Sequence, residues 1–159
     1  MSWRELRHGL TWHVGTMLGG GDAHSWRDTV PAGAPKFVDD EGAVMSFTGS
    51  VGGYFGGGIG LACVTHYHLY FNTSETTIGT LGVALTWGQH RTRFQIGPGV
   101  SAISAGMGES IGGGSIAFDA LIMMTKTFGL MLMADLDVFD NGDAHTVVFH
   151  TGVGVGFGR

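Results

Sequence analysis

The chain has 159 residues, of which 43% are hydrophobic and only 13% charged, with a formal net charge of −5. That charged share is about half the ~25% usual for soluble domains, so a surface built evenly from this sequence would be sticky in water. Apolar runs such as Ala120 to Met124 fall far short of the ~20 residues of a transmembrane helix, and no basic cluster offers a footprint for nucleic acid.

Glycine is in excess, with 30 residues where average usage of ~7% would give about 11. That disfavours a helical bundle, and three prolines beside ten Phe, four Trp and three Tyr do not fit low-complexity disorder. Glycine therefore has a positional role. The lone Cys63 excludes an intrachain disulfide and carries no metal pattern by itself. Nothing resembles an interdomain linker, so residues 1–159 are expected to form one domain.

Period-two alternation recurs in eight segments, the signature of half-buried strands. The first, about 5 to 18, sets Leu6, Leu10, Trp12, Val14 and Leu18 against Arg7, Gly9, Thr11, His13 and Gly15. The second, about 43 to 55, sets Met45, Phe47, Val51 and Phe55 against Ser46, Thr48, Ser50 and Gly52. The third, 59 to 71, is the clearest: Ile59, Leu61, Cys63, Thr65, Tyr67, Leu69 and Phe71 oppose Gly60, Ala62, Val64, His66, His68 and Tyr70. In the fourth, about 77 to 87, Leu81, Val83, Leu85 and Trp87 oppose Thr80, Gly82, Ala84 and Thr86. The fifth, about 92 to 103, sets Phe94, Ile96, Val100 and Ala102 against Arg93, Gln95, Gly97, Gly99 and Ser101. The sixth, about 114 to 124, sets Ile116, Phe118, Ala120, Ile122 and Met124 against Ser115, Ala117, Asp119, Leu121 and Met123. In the seventh, about 128 to 138, Phe128, Leu130, Leu132, Ala134, Leu136 and Val138 oppose Met131, Met133, Asp135 and Asp137. The eighth, about 146 to 157, sets Val147, Phe149, Val153, Val155 and Phe157 against Val148, His150, Gly152, Gly154 and Gly156.

Within these segments no charge falls on the apolar phase, whereas Arg7, Arg93, Asp119, Asp135 and Asp137 all fall on the other. A water-soluble barrel would put its bulky face inward and clothe the outside in Lys and Glu. A small, glycine-rich second face suits instead the crowded interior of an eight-stranded cylinder, with the apolar face turned to lipid. The expected fold is all-β: an eight-stranded, antiparallel, up-and-down transmembrane β-barrel. Segments of this length exceed the ~9–11 residues a tilted strand needs to cross a bilayer. Connections alternate between short turns such as Gly56-Gly57-Gly58 and longer loops, the longest a polar first loop at about 19–42. On this topology Trp3, Phe55, Trp87, Phe94, Phe128 and Phe157 form an aromatic girdle at the short-turn end.

With these features the chain resembles the small bacterial outer-membrane barrels of the OmpA, OmpX and Ail type. The resemblance is architectural and covers nearly the whole length. It implies Gram-negative outer-membrane residence, contact with membrane lipid or detergent, assembly by the barrel-assembly machinery and a monomeric state. Members commonly end in a polar, any, Gly, any, any, apolar, any, aromatic pattern that this machinery reads. His150, Gly152, Val155 and Phe157 match it, although Gly158 and Arg159 follow the aromatic. Met1 to Glu5 shows no secretory signal, so the expectation is a mature chain whose signal peptide has been removed.

Chemistry could sit only among the inward ionisable groups: His13, His66, His68, Arg93, Asp119, Asp135, Asp137 and His150. His66 and His68, two apart on one strand, project to the same side, a spacing compatible with metal ligation. Asp135 or Asp137 can lie near His150 on the neighbouring strand, and barrel closure sets His13's strand beside the eighth. The expectation is a paired polar plug in the lumen, with no catalytic residue, no metal and no cofactor. The protein is then a non-enzymatic envelope component acting through its loops, where Trp26, Arg27, Lys36 and Phe37 offer a partner surface. Two alternatives stand: a lipid-modifying acyltransferase or deacylase using the inward His and Asp groups, for which Thr65 to His68 supplies no adjacent serine, and a narrow, porin-like pore.

Overall fold

The computed structural model describes residues 9–28, 37–71, 76–89, 91–105 and 110–158. They form eight strands in chain order: β1 (Gly9–Arg27), β2 (Phe37–Gly56), β3 (Ile59–Tyr70), β4 (Thr76–Gln89), β5 (Thr92–Ala105), β6 (Ser110–Met123), β7 (Phe128–Asp140) and β8 (Ala144–Gly158). Each pairs antiparallel with its chain neighbours, and β8 pairs with β1 from His13↔Gly158 to Arg27↔Ala144, closing the barrel. Closure leaves no edge strand among the described residues, only overhanging ends such as Phe37–Gly42 of β2, which pair with β1 alone.

The ladders fix the shape. A row of direct partners beginning at Leu10 runs through Gly53, Leu61, Leu85, Ile96, Phe118, Ala134 and Thr151, then re-enters β1 at Gly20. The Leu10-to-Gly20 stagger is about 33 Å at ~3.3 Å per residue, set against about 38 Å for eight strands at ~4.8 Å spacing. Strands therefore tilt by about 40° and enclose a lumen just wide enough to be filled by side chains.

The short-turn end is built from local chemistry. Gly57 and Gly58 both have positive φ, 62° and 79°, as a two-residue type I′ hairpin requires. Such a turn pairs Gly56 with Ile59, yet the rest of the hairpin pairs Tyr54 with Gly60. A bulge at Phe55 absorbs the extra residue and keeps the even positions of both strands facing inward. Between β6 and β7, Thr125 Oγ1 accepts the amides of Thr127 and Phe128 at 3.3 and 3.0 Å. The β4–β5 ladder skips from Gly82↔Gly99 to Leu85↔Ile96, because Pro98 between them has no N–H to donate.

The strands β1 and β2 run well past their predicted limits. The polar loop expected at about 19–42 is therefore largely a ribbon, with Gly19 to Trp26 paired to Val44 through Phe37. Gly19 to Gly21 read as a loop from composition, but β1 is hydrogen-bonded on both sides there, to β2 and β8. Predicted residues Trp3, Leu6, Arg7 and Lys36 lie outside the described residues.

Outside, the barrel wears an apolar belt: Leu10, Trp12, Val14 and Leu18 on β1, Leu81, Val83 and Leu85 on β4, Leu130, Leu132, Leu136 and Val138 on β7, and their equivalents elsewhere are all exposed. Inside, the order along one strand gives the layers. Inward residues of β7 read Met131, Met133, Asp135, Asp137, Phe139, and all are buried. The methionines join Met17, Leu121 and Met123 toward the turn end. Phe139 joins Val44, Tyr70, Ile78 and Val148 toward the loop end. Glycine makes this filling possible: a Cβ on Gly15 or Gly156 would overlap Met131, and one on Gly21 would overlap the Tyr70 ring.

Candidate functional site in the barrel lumen

Between the two apolar layers lies a polar one, and it unites six of the eight predicted lumen residues. Strands β3 and β7 stand four places apart in a ring of eight, so they face each other across the full diameter. His66 on β3 reaches over to Asp135 Oδ2 on β7 (Nδ1, 2.7 Å) and to Asp119 Oδ2 on β6 (Nε2, 2.9 Å). A ring with a carboxylate at each nitrogen donates from both. His68 follows two residues on, with Nε2 3.0 Å from the same Asp135 oxygen and Nδ1 2.8 Å from Ser46 Oγ.

The His68 ring stacks on that of His150, centroids 4.2 Å apart and planes 20° apart. His150 stands directly opposite Asp135 in the β7–β8 ladder. Its Nε2 lies 3.1 Å from Asp137 Oδ2 and its Nδ1 2.9 Å from Tyr70 Oη. Thr80 donates its hydroxyl to Asp137 Oδ1 at 3.4 Å. All these side chains are buried.

His13 and Arg93 belong to a separate group nearer the turn end. Although β1 does run beside β8, the ladder partner of His13 is Gly158, while His150 faces Gly21. The His13 ring bonds Ser50 Oγ instead, Nδ1 to oxygen 2.8 Å, and Gln95 donates to the same hydroxyl at 3.2 Å. Arg93 donates from Nη1 to the Trp12 carbonyl at 3.4 Å.

Sequence reasoning about the site missed Ser46, Ser50, Tyr70, Thr80 and Gln95. Alternation places each of them inward, but their roles depend on register. Ser46 is the ladder partner of His68, so the neighbouring strand supplies the serine absent from the Thr65–His68 stretch. Ser46, His68 and Asp135 thereby acquire the order of a nucleophile, base and orienting acid. Ser46 and His68 are sealed, at 2% and 0% exposure, between the apolar layers.

The predicted girdle aromatics among the described residues fall on the outer wall. Trp87 stacks on Phe94 with centroids 5.6 Å apart, and Phe128 lies 5.4 Å from Phe157. With exposed Phe55 they all sit within a few residues of the turn end. Of the C-terminal pattern, His150 turns into the lumen and Phe157 outward. At the loop end Trp26 stacks on His145 at 5.4 Å, and exposed Arg27 closes β1.

No protein-family model matches the chain, and no curated protein matches it in sequence. Its fold does match solved structures. Neisserial surface protein A superposes with a TM-score of 0.58 at 10% identity, over 94% of this chain and 98% of that one. The outer membrane protein OprG from Pseudomonas aeruginosa gives 0.59 at 9% identity, over 96% and 97%. The N-terminal β-barrel domain of Pseudomonas aeruginosa OprF gives 0.51 at 14%, over 90% and 97%. The chain thus shares the closed eight-stranded fold of these barrels, and at such identities the likeness is one of fold alone.

Proposed function

We propose that the protein is a monomeric, integral barrel of the Gram-negative outer membrane, without catalytic activity, which presents a surface at its loop end on a closed cylinder. The observation that carries this reading is the outward belt. From Leu10 to Leu18 on β1 it spans about 27 Å along the strand at ~3.4 Å per residue, or about 20 Å once tilted by ~40°, close to the ~25 Å band of outer-membrane barrels. Outward charges such as Asp22, Glu41 and Asp140 lie at the loop end, beyond the belt. The aromatics at the other end would serve as the interfacial girdle, with His150, Gly152, Val155 and Phe157 as the assembly signal. The packed lumen opposes both a pore and a lipid-modifying enzyme.

Cys63, the only cysteine, is exposed on the outer wall of β3 and serves as a built-in reporter. The chain should fold from urea into lipid vesicles and migrate as a heat-modifiable band. An environment-sensitive fluorophore on Cys63 should then be quenched by brominated acyl chains and not by aqueous iodide. Iodide quenching, or a soluble monomer without detergent, would overturn membrane residence. Current steps in planar bilayers would replace the closed cylinder with a pore.

A further inference from the structure

We propose that the lumen holds a divalent transition metal of the zinc class, bound by His68, Asp137 and His150. His68, Asp137 and His150 each offer one ligand atom, all within 4.8 Å of one another, and His66, His68 and Asp135 form a second such group that shares His68. Two imidazoles and one carboxylate are a donor set that suits zinc, whose fourth tetrahedral position can be taken by water.

The decisive feature is which atoms are already occupied. The Nδ1 of His68 meets Ser46, the Nδ1 of His150 meets Tyr70, and Oδ1 of Asp137 takes the Thr80 hydroxyl. These are the outer contacts that orient metal-binding groups, each fixing the far side of a ring or carboxylate. On the near side the polar atoms face one another: His68 Nε2 lies 3.0 Å from Asp135 Oδ2 and His150 Nε2 lies 3.1 Å from Asp137 Oδ2. A cation among His68, Asp137 and His150 would replace such contacts with coordinate bonds. Asp137 and His68 are both 0% exposed and His150 1%, so the atoms point at one another and not at water.

The apolar layers on either side imply that the ion is captured while the barrel closes. The site depends only on the lumen, so it stands or falls separately from membrane residence. Denatured chain is folded into detergent micelles with Zn²⁺ or Co²⁺ present, then dialysed against EDTA. We expect one ion per folded barrel, and the visible absorption of tetrahedral Co²⁺. Asp137→Asn and His150→Gln should release the ion while the heat-modifiable band persists. Ser46→Ala and Tyr70→Phe, which alter only positioning residues, should weaken binding by about 10- to 100-fold, and His145→Gln at the rim should change nothing. A folded, metal-free barrel would overturn the proposal. So would retention of the ion by both Asp137→Asn and His150→Gln, or its loss with His145→Gln. Should those lumen variants fail to fold, the Co²⁺ spectrum of the unmodified chain decides: an octahedral or absent spectrum rejects the site.

Discussion

Small residues in this chain act by what they make room for. Gly21 sits in β1 under the Tyr70 ring, and a methyl group there would occupy the same space. Tyr70 in turn holds His150, so the glycine reaches the polar layer through one intermediary. Gly21→Ala should cost about 1–3 kcal/mol as an overpacked core does, read from urea unfolding in vesicles. Adding Tyr70→Ala should make the two changes non-additive, with a coupling of about 0.5–3 kcal/mol; simple additivity would show that the clash relaxes elsewhere. Gly57 is a different case. Nothing lies within 4 Å of an added Cβ, and φ is 62°, so Gly57→Ala should cost only the left-handed conformational penalty of about 1–2 kcal/mol. Gly57→Asn should recover most of it, since type I′ turns accept Asn.

At the level of strands, the sequence was legible in phase and much less so in length and partnership. Alternation assigned the face of His66, His68, Asp119, Asp135, Asp137 and His150 because a period of two depends only on the chain itself. It could not give the end of β1: Gly19 to Gly21 resemble a loop, and only β2 and β8 on either side hold them extended. It could not give the Ser46–His68 pair either. Counting back from the Gly57–Gly58 turn leads to the wrong residue, and the bulge at Phe55 corrects the register by one. The β3–β7 contacts lay still further out of reach. They follow from the stagger with which the whole sheet closes, a property of eight strands together that is written in none of them.

For the molecule as a whole, the outer wall carries the sharpest test of its surroundings. Leu132 lies in the middle of the belt on β7, whereas Met124 is exposed at the turn end. Leu132→Arg should cost about 2–4 kcal/mol of folding free energy in vesicles and Met124→Arg about 0–1, the depth gradient of a bilayer. Equal, small effects at both sites would mean that water, not lipid, faces the wall.

The span from His66 and His68 on β3 to Asp119 and Asp135 on the far side also orders events in time. Walls that are still apart cannot be bridged, so these contacts need the sheet to curl until β3 lies opposite β6 and β7. In the closed barrel the imidazoles and carboxylates are buried, so that approach strips them of water. Closing the layer is thus a dehydration, and it leaves a polar brace that ties opposite walls of the cylinder together.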